Sequence, residues 1–413
     1  MNMATNNIVV RKQVNSHKRV CSLNHSLTLN QVELHYQNKE PKSQVITNTM
    51  PASPRQIKKY DYHDGLEYFN KLIYGDNLSI LKYFYQDTEI KGKVRLVYID
   101  PPFSTGRIFD QEDDMTRYGE RVYEDTLLGH EYLEFLRKRL IFLREILADD
   151  GSIYVHLDQK IAHYVKVLMD EIFGIRNFRN WITRQKCHPK GYTKKSYGNI
   201  QDFILFYTKS DRYIWNKPLG ELTEEKIVSS EYIYIEEKTK RIYKKVPLHA
   251  PGVRYGRTGL PWRGRLPPKG KHWQYPPEKL EEFDRDGKIY WSPTGNPRLK
   301  IYLDERNGVL VQDIWPDFLD PMNQFTFLTG YPTEKNQAML ELIVNTSSNE
   351  GDIVLDCFAG SGTTLVAAEK LKRKWIGVDN SKAAIDTVIK RLLNTAGKDN
   401  LKLQPFCLYE AVP

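Results

Sequence analysis

Cysteine is scarce in this chain of 413 residues: Cys21, Cys187, Cys357 and Cys407 are all there is, and no pair has CxxC spacing. That excludes a disulfide framework and a zinc knuckle, and it fits a reducing compartment. His17, Cys21 and His25 recur at four-residue intervals, but their Asn- and Ser-rich surroundings lack the apolar period of a helix, so no bound metal is expected. No apolar run reaches the ~18 residues of a membrane span, and the first residues lack the apolar stretch of a signal peptide. A soluble, cytoplasmic protein is the expectation. Acids are the other deficit: 52 Asp and Glu face 61 Lys and Arg, for a net charge of +9. The imbalance is local, since roughly sixteen basic residues stand against about five acids between Lys238 and Lys300. Such a concentration suits a polyanionic partner.

What is present begins with the run Val94 to Ile99, which ends in Asp100-Pro101-Pro102-Phe103. The β-branched and aliphatic residues read as a buried strand, and the prolines stop it because neither donates a ladder hydrogen bond. The Asp100 carboxylate and the Pro101 carbonyl are left as acceptors at the carboxyl edge, where open α/β sheets bind ligands. Phe103 adds an aromatic face. Two acceptors beside a ring suit an exocyclic amino group on a flat heterocycle.

A strand at 71–74, a helix at 77–86 and the strand ending at Asp100 form a β-α-β unit, which implies a parallel pair. Residues 104–125 read as a mobile loop over the strand edge. Leucines at helical spacing predict a helix over 131–148, followed by a strand at 152–157, a helix at 160–173 and a terminal antiparallel pair at 180–184 and 203–207. From 213 to 321 helical periodicity vanishes, and Arg, Trp, Tyr, Pro and Gly crowd together, which marks an inserted domain. Arg254, Arg257, Arg263, Arg265, Lys269 and Lys271 are its candidate nucleic-acid contacts, with guanidinium groups for phosphates and guanine edges. Residues 1–56 read as a polar arm, flexible or loosely docked.

A second motif follows the predicted helix 337–347. The run Asp352 to Asp356 leads into Cys357-Phe358-Ala359-Gly360-Ser361-Gly362-Thr363-Thr364, a strand, a Gly-rich turn and a helix start. The glycines are expected to let backbone amides approach a ligand. Thr363 stands where a P-loop needs lysine, which disfavours phosphate hydrolysis. About twenty residues on, a strand ends at Asp379, placed to accept both ribose hydroxyls of an adenosine.

Asp100 to Phe103 together with Asp356 to Thr364 resemble the S-adenosylmethionine-dependent DNA amino-methyltransferases. The order of catalytic motif, basic insert and cofactor turn resembles their β group, which includes solitary adenine methyltransferases and type III modification subunits. The resemblance covers about residues 66–395. It implies a doubly wound, mostly parallel, circularly permuted Rossmann-like α/β sheet with an inserted target-recognition domain. The corresponding divisions are 1–56 (arm), 57–212 (catalytic half), 213–321 (insert) and 322–413 (cofactor half). Asp100, Pro101, Pro102 and Phe103 become the catalytic set, with Phe103 stacking on a flipped-out base. Asp76, Asn77, Thr333, Glu334, Lys335, Asp356, Phe358, Ala359, Gly360, Ser361, Gly362, Thr363, Asp379 and Asn380 become the S-adenosylmethionine site, with Asp76 near the adenine and 333–335 over the methionine end. The implied activity is methylation of adenine N6 in double-stranded DNA. N4 of cytosine on the same scaffold is the alternative, although Ser often stands at the first motif position there and Asp100 leans to adenine; a catalytically inactive DNA-binding relative is another. The resemblance further implies a homodimer and a restriction-endonuclease partner.

Overall fold

The computed structural model describes residues 32–60, 69–102, 129–189, 195–220, 231–305, 308–321, 334–398 and 403–413, with the backbone of 107–110 and 121–125 and positions 191, 223, 227 and 228. The strands of its main sheet are, in chain order, β1 (Ser53–Tyr60), β2 (Asn70–Tyr74), β3 (Val94–Ile99), β4 (Leu147–Leu157), β5 (Phe178–Gln185), β6 (Gln201–Thr208), β7 (Ile314–Trp315), β8 (Ile353–Asp356), β9 (Lys374–Asp379) and β10 (Phe406–Val412). The helices are α1 (Lys42–Asn48), α2 (Asn77–Gln86), α3 (Gly129–Ile146), α4 (Ala162–Phe173), α5 (Pro277–Arg285), α6 (Gln337–Ser347), α7 (Thr363–Lys370) and α8 (Lys382–Lys398).

Across the sheet the order is β1-β10-β2-β9-β8-β3-β4-β6-β5-β7. From β10 to β4 every neighbouring pair is parallel. Such strands are covered on both faces and read as continuous apolar runs. β3 shows why: Val97 and Ile99 join one core with α2, α3 and α4, while Leu96 and Tyr98 join the other with α6, α7 and α8. That alternation is the two-residue period of a strand. β8 and β9 come from the end of the chain yet sit between β2 and β3, as the permuted order requires. Beyond β8 the chain winds one way, and beyond β3 the other, so the crevice between them is the switch point where α/β sheets take ligands. Close packing of α7 fixes this region, since a Cβ on Gly377 would lie 2.4 Å from Leu365 Cδ1.

Several elements differ from the sequence reading. Residues 32–56 are docked, not loose. Tyr36 Oη donates to Glu134 at 2.6 Å, Lys39 Nζ to Glu171 at 2.8 Å and Lys42 Nζ to Glu145 at 2.9 Å, all on α3 and α4. Only Val45 of α1 is buried, so polar contacts hold this arm and an apolar period could not announce it. β1 and β10 extend the sheet by an antiparallel pair, with Tyr60 stacked on Phe406 at 4.5 Å. In the span read as a mobile loop, 107–110 pairs with 121–125 in an antiparallel ladder. The antiparallel set β6/β5 lies where expected, but β7 adds to β5 in parallel.

The insert has its own core of Leu248, Trp262, Trp273, Leu280, Ile289 and Leu299. A four-stranded antiparallel sheet (residues 234–235, 242–247, 297–302 and 289–291, in that spatial order) packs there with α5, a helix the sequence reading missed. Its ends are narrower than 213–321. Trp215 stacks on Phe206 at 5.8 Å, and Trp315 is buried in the main core, so both ends belong to the sheet domain. Among the described residues, no helix is long and apolar enough to cross a membrane.

Candidate active site

β3 delivers Asp100 to the carboxyl edge beside β8, in the register Leu355 to Val97. Pro101 is buried and Pro102 half-buried, while Phe103 and Thr333 lie outside the described residues. Lys335 Nζ sits 2.5 Å from Asp100 Oδ2. Asp100 Oδ1 is buried and, among the described residues, has no hydrogen-bond partner. Lys335 precedes α6, whose first turn is capped by Asn336 accepting from Met339 N at 3.1 Å.

The ends of β8 and β9 add two more acids. Asp356 is buried, which pushes its carboxyl up to about 7; nearby Asp100 and Asp379 push the same way, while Thr364 and the Phe358 amide, 3.0 Å away, offset part of the effect. Burial also raises Asp379, against amide bonds from Gly360 N at 2.8 Å and Ser381 N at 2.9 Å. Gly360 and Gly362 are left-handed, with φ of 50° and 77°. Their amides are engaged within the protein. Gly360 N serves Asp379, and Gly362 N donates to the Ala359 carbonyl at 2.8 Å, because the turn closes on itself.

Arg391 of α8, which sequence reasoning missed, braces the turn. It donates to Ser361 Oγ at 3.2 Å and Thr363 Oγ1 at 2.8 Å, and pairs with Glu334 at 3.1 Å. Ser361, Thr363 and Glu334 are thus first of all structural partners. Ala359 is buried, Asn380 is exposed, and the half-buried Phe358 ring lies 6.1 Å from Phe135. Asp76 caps α2 through Ser79 N at 2.9 Å and pairs with Arg139 at 3.2 Å, while Asn77 donates to the Cys357 carbonyl at 2.6 Å. Asn77 thereby fixes α2 against the turn, and Asp76 fixes it against α3.

Beneath Asp100 lies a buried polar chain that the sequence reading also missed. Tyr98 Oη and His156 Nδ1 share a hydrogen bond of 2.7 Å, and His156 Nε2 is 3.0 Å from Asp202 Oδ2. Arg184 Nη1 donates to Asp202 at 3.0 Å and Nε to the Phe318 carbonyl at 2.7 Å, and Nη2 pairs with Asp320. Burial alone would raise Asp202, but His156, Arg184 and Lys335 outweigh it and hold the carboxyl well below its usual range. Arg184 and Asp202 are cross-strand partners in β5 and β6, yet nothing in single-sequence reading gives that register.

In the insert, Arg263 is tied to Glu281 at 2.6 Å and Asp284 at 2.5 Å on α5, and Arg257 to Glu278 at 3.1 Å. Those acids occupy the groups expected to read DNA. Arg254, Arg265, Lys269 and Lys271 are exposed and, among the described residues, carry no carboxylate partner; Tyr255 beside Arg254 is 96% exposed. Among the described residues, no cluster of His, Cys, Asp and Glu is arranged to hold a metal ion.

The sequence profile of the DNA methylase family, covering N6 and N4 enzymes, matches residues 94–390. The type II methyltransferase M.EcaI of Enterobacter cloacae is 45% identical over 360 residues, which are 87% of this chain and 77% of that protein. The probable type III restriction-modification enzyme HindVI Mod subunit of Haemophilus influenzae is 26% identical over 82% of this chain and 52% of that protein, so the chain spans about half its length. Among solved structures, the M1.HpyAVI–SAM complex aligns with a TM-score of 0.42 and 18% identity over 78% of this chain and 98% of that chain.

Proposed function

Because this chain belongs to the N6/N4 DNA methylase family, we propose that it transfers a methyl group from S-adenosylmethionine to the exocyclic N6 of a flipped-out adenine in duplex DNA. The observation that carries this reading is the buried, unpartnered Asp100 Oδ1 at the end of β3. An unmade hydrogen bond at a buried carboxylate is costly, so a donor is expected to complete it. An amino group supplies one. Its lone pair is delocalised into the ring, and acceptors at Asp100 and the Pro101 carbonyl favour the positive charge that develops as it reacts. An acid rather than Ser at position 100 favours adenine over cytosine.

The residues present suit this cofactor. Asp356 and Asp379 are both raised by burial, so a neighbouring cation would relieve them. Asp379 accepts amides from Gly360, Ser381 and Asn380, and a carboxylate's roughly four lone-pair positions leave room for an adjacent hydroxyl. When bound, S-adenosylmethionine supplies an electrophilic methyl group on a sulfonium sulfur. The chain's own part is to orient the amine at Asp100 and flip the base from the stack.

The insert sets the target sequence in this reading, with Arg254, Tyr255, Arg265, Lys269 and Lys271 toward DNA. The family's restriction-modification relatives support a restriction-endonuclease partner acting at the same sequence. The test is nucleoside analysis of DNA from a methylation-free host expressing the chain. N6-methyladenine is the expected product; N4-methylcytosine alone would refute the adenine assignment, and unmodified DNA the activity.

A further inference from the structure

Lys335 occupies a position that the proposed chemistry does not yet use. Its ammonium lies 2.5 Å from Asp100 Oδ2, with side-chain exposures of only 10% and 19% for the two residues. The lysine is held from both sides along the chain. Glu334 is paired with Arg391 at 3.1 Å, and Asn336 both caps α6 and donates its side-chain amide to the Leu319 carbonyl at 2.9 Å. Its charge also reaches the buried Asp202 below, whose ionised form it favours. The backbone is therefore anchored, and the ammonium sits on the Asp100 carboxylate.

We propose that Lys335 is a positioning residue for Asp100 and not a ligand of the cofactor: it claims Oδ2, fixes the carboxylate and leaves Oδ1 as the one carboxylate oxygen open to the target amine, beside the Pro101 carbonyl. The inference rests on the assignment of Asp100 to that amine. A carboxylate presents about four acceptor positions and rotates about its last bond, so an unrestrained Asp100 would meet an N–H in many geometries. A charge-assisted bond to one oxygen removes that freedom. Asp100 then serves as an oriented hydrogen-bond acceptor, and the amine's surplus proton leaves to water after transfer. Such preorganisation acts on the reacting geometry and leaves binding of either partner nearly unchanged.

The test uses the full chain with Lys335→Met and Lys335→Arg, measuring kcat, the KM for DNA, S-adenosylmethionine affinity by calorimetry and the thermal midpoint. Lys335→Met should lower kcat about 100-fold while the KM for DNA and cofactor affinity stay within about threefold. Lys335→Arg keeps the charge and guards against misfolding of the Met variant; it should recover about tenfold of the lost kcat. Wild-type kcat in both variants would overturn the proposal. So would cofactor affinity weakened more than about tenfold with kcat retained, which would return Lys335 to the cofactor site. A wild-type protein that does not methylate DNA would instead refute the underlying function, and that failure shows before any variant is made.

Discussion

Replacing Asp356 with Asn should change how stability depends on pH, and the size follows from the site. Asp356 is 2% exposed at the end of β8, and burial pushes its carboxyl up to about 7. In the unfolded chain an aspartate titrates near ~3.9. Between those values the folded protein holds one more proton than the unfolded chain, so stability falls as pH rises, by ~1.4 kcal/mol per unit. The contribution is complete below the unfolded value, is lost as pH passes through about 7, and totals at most ~4 kcal/mol. Asn keeps a carbonyl oxygen for the Phe358 amide and cannot ionise. The stability of Asp356→Asn minus that of wild type should therefore grow by ~1.4 kcal/mol per unit from pH 5 to 7 and level off above. Urea denaturation of the ligand-free proteins at four pH values measures it. A difference that stays flat from pH 5 to 8 would refute the argument.

Gly362→Val should destabilise the fold by ~1–3 kcal/mol and weaken cofactor binding, because its Cβ would meet Val388 Cγ2 at 2.8 Å and push α8 from the turn; urea midpoints and calorimetry read the two effects. Arg184→Met leaves the buried Asp202 with His156 alone and takes the cation from the part-exposed Asp320, for a cost of up to ~3–5 kcal/mol by urea denaturation. Arg265→Ala should cost ~1–3 kcal/mol on the cognate site and little on random DNA. Arg263→Ala should instead loosen α5 within the insert, since its charge is spent on Glu281 and Asp284; limited proteolysis and binding titrations separate the two.

The parts legible in the sequence are those where one local pattern fixes the outcome. The run Val94 to Ile99 is apolar on both faces, and two prolines end it, so both strand and edge were readable. The same holds for α6, predicted at 337–347 and found at Gln337–Ser347. The illegible parts depend on partners distant in sequence. β1 is largely exposed and polar, and only pairing with β10 makes it a strand. Its Lys58 and Lys59 are the charges an edge strand carries, and in a sequence they read as loop. The site divides the same way. Asp100, Asp356 and Asp379 end their strands and announced themselves. Arg391 lies 28 residues from Thr363 in the chain and Tyr98 lies 58 from His156, and no local pattern predicts which strands and helices become neighbours. Arg263 looked available for DNA because composition counts charges, while structure shows which are already paired.

The central claim is that Asp100 is the acceptor that makes the target amine reactive. The most direct measurement compares Asp100→Ala with wild type in a methylation-free host, mapping modified bases by long-read sequencing, and then compares cofactor and DNA affinity of the purified proteins. The account predicts N6-methyladenine at one sequence in wild type and none in the variant, with both affinities within about tenfold of wild type. Wild-type-like methylation by the Asp100→Ala protein would contradict it.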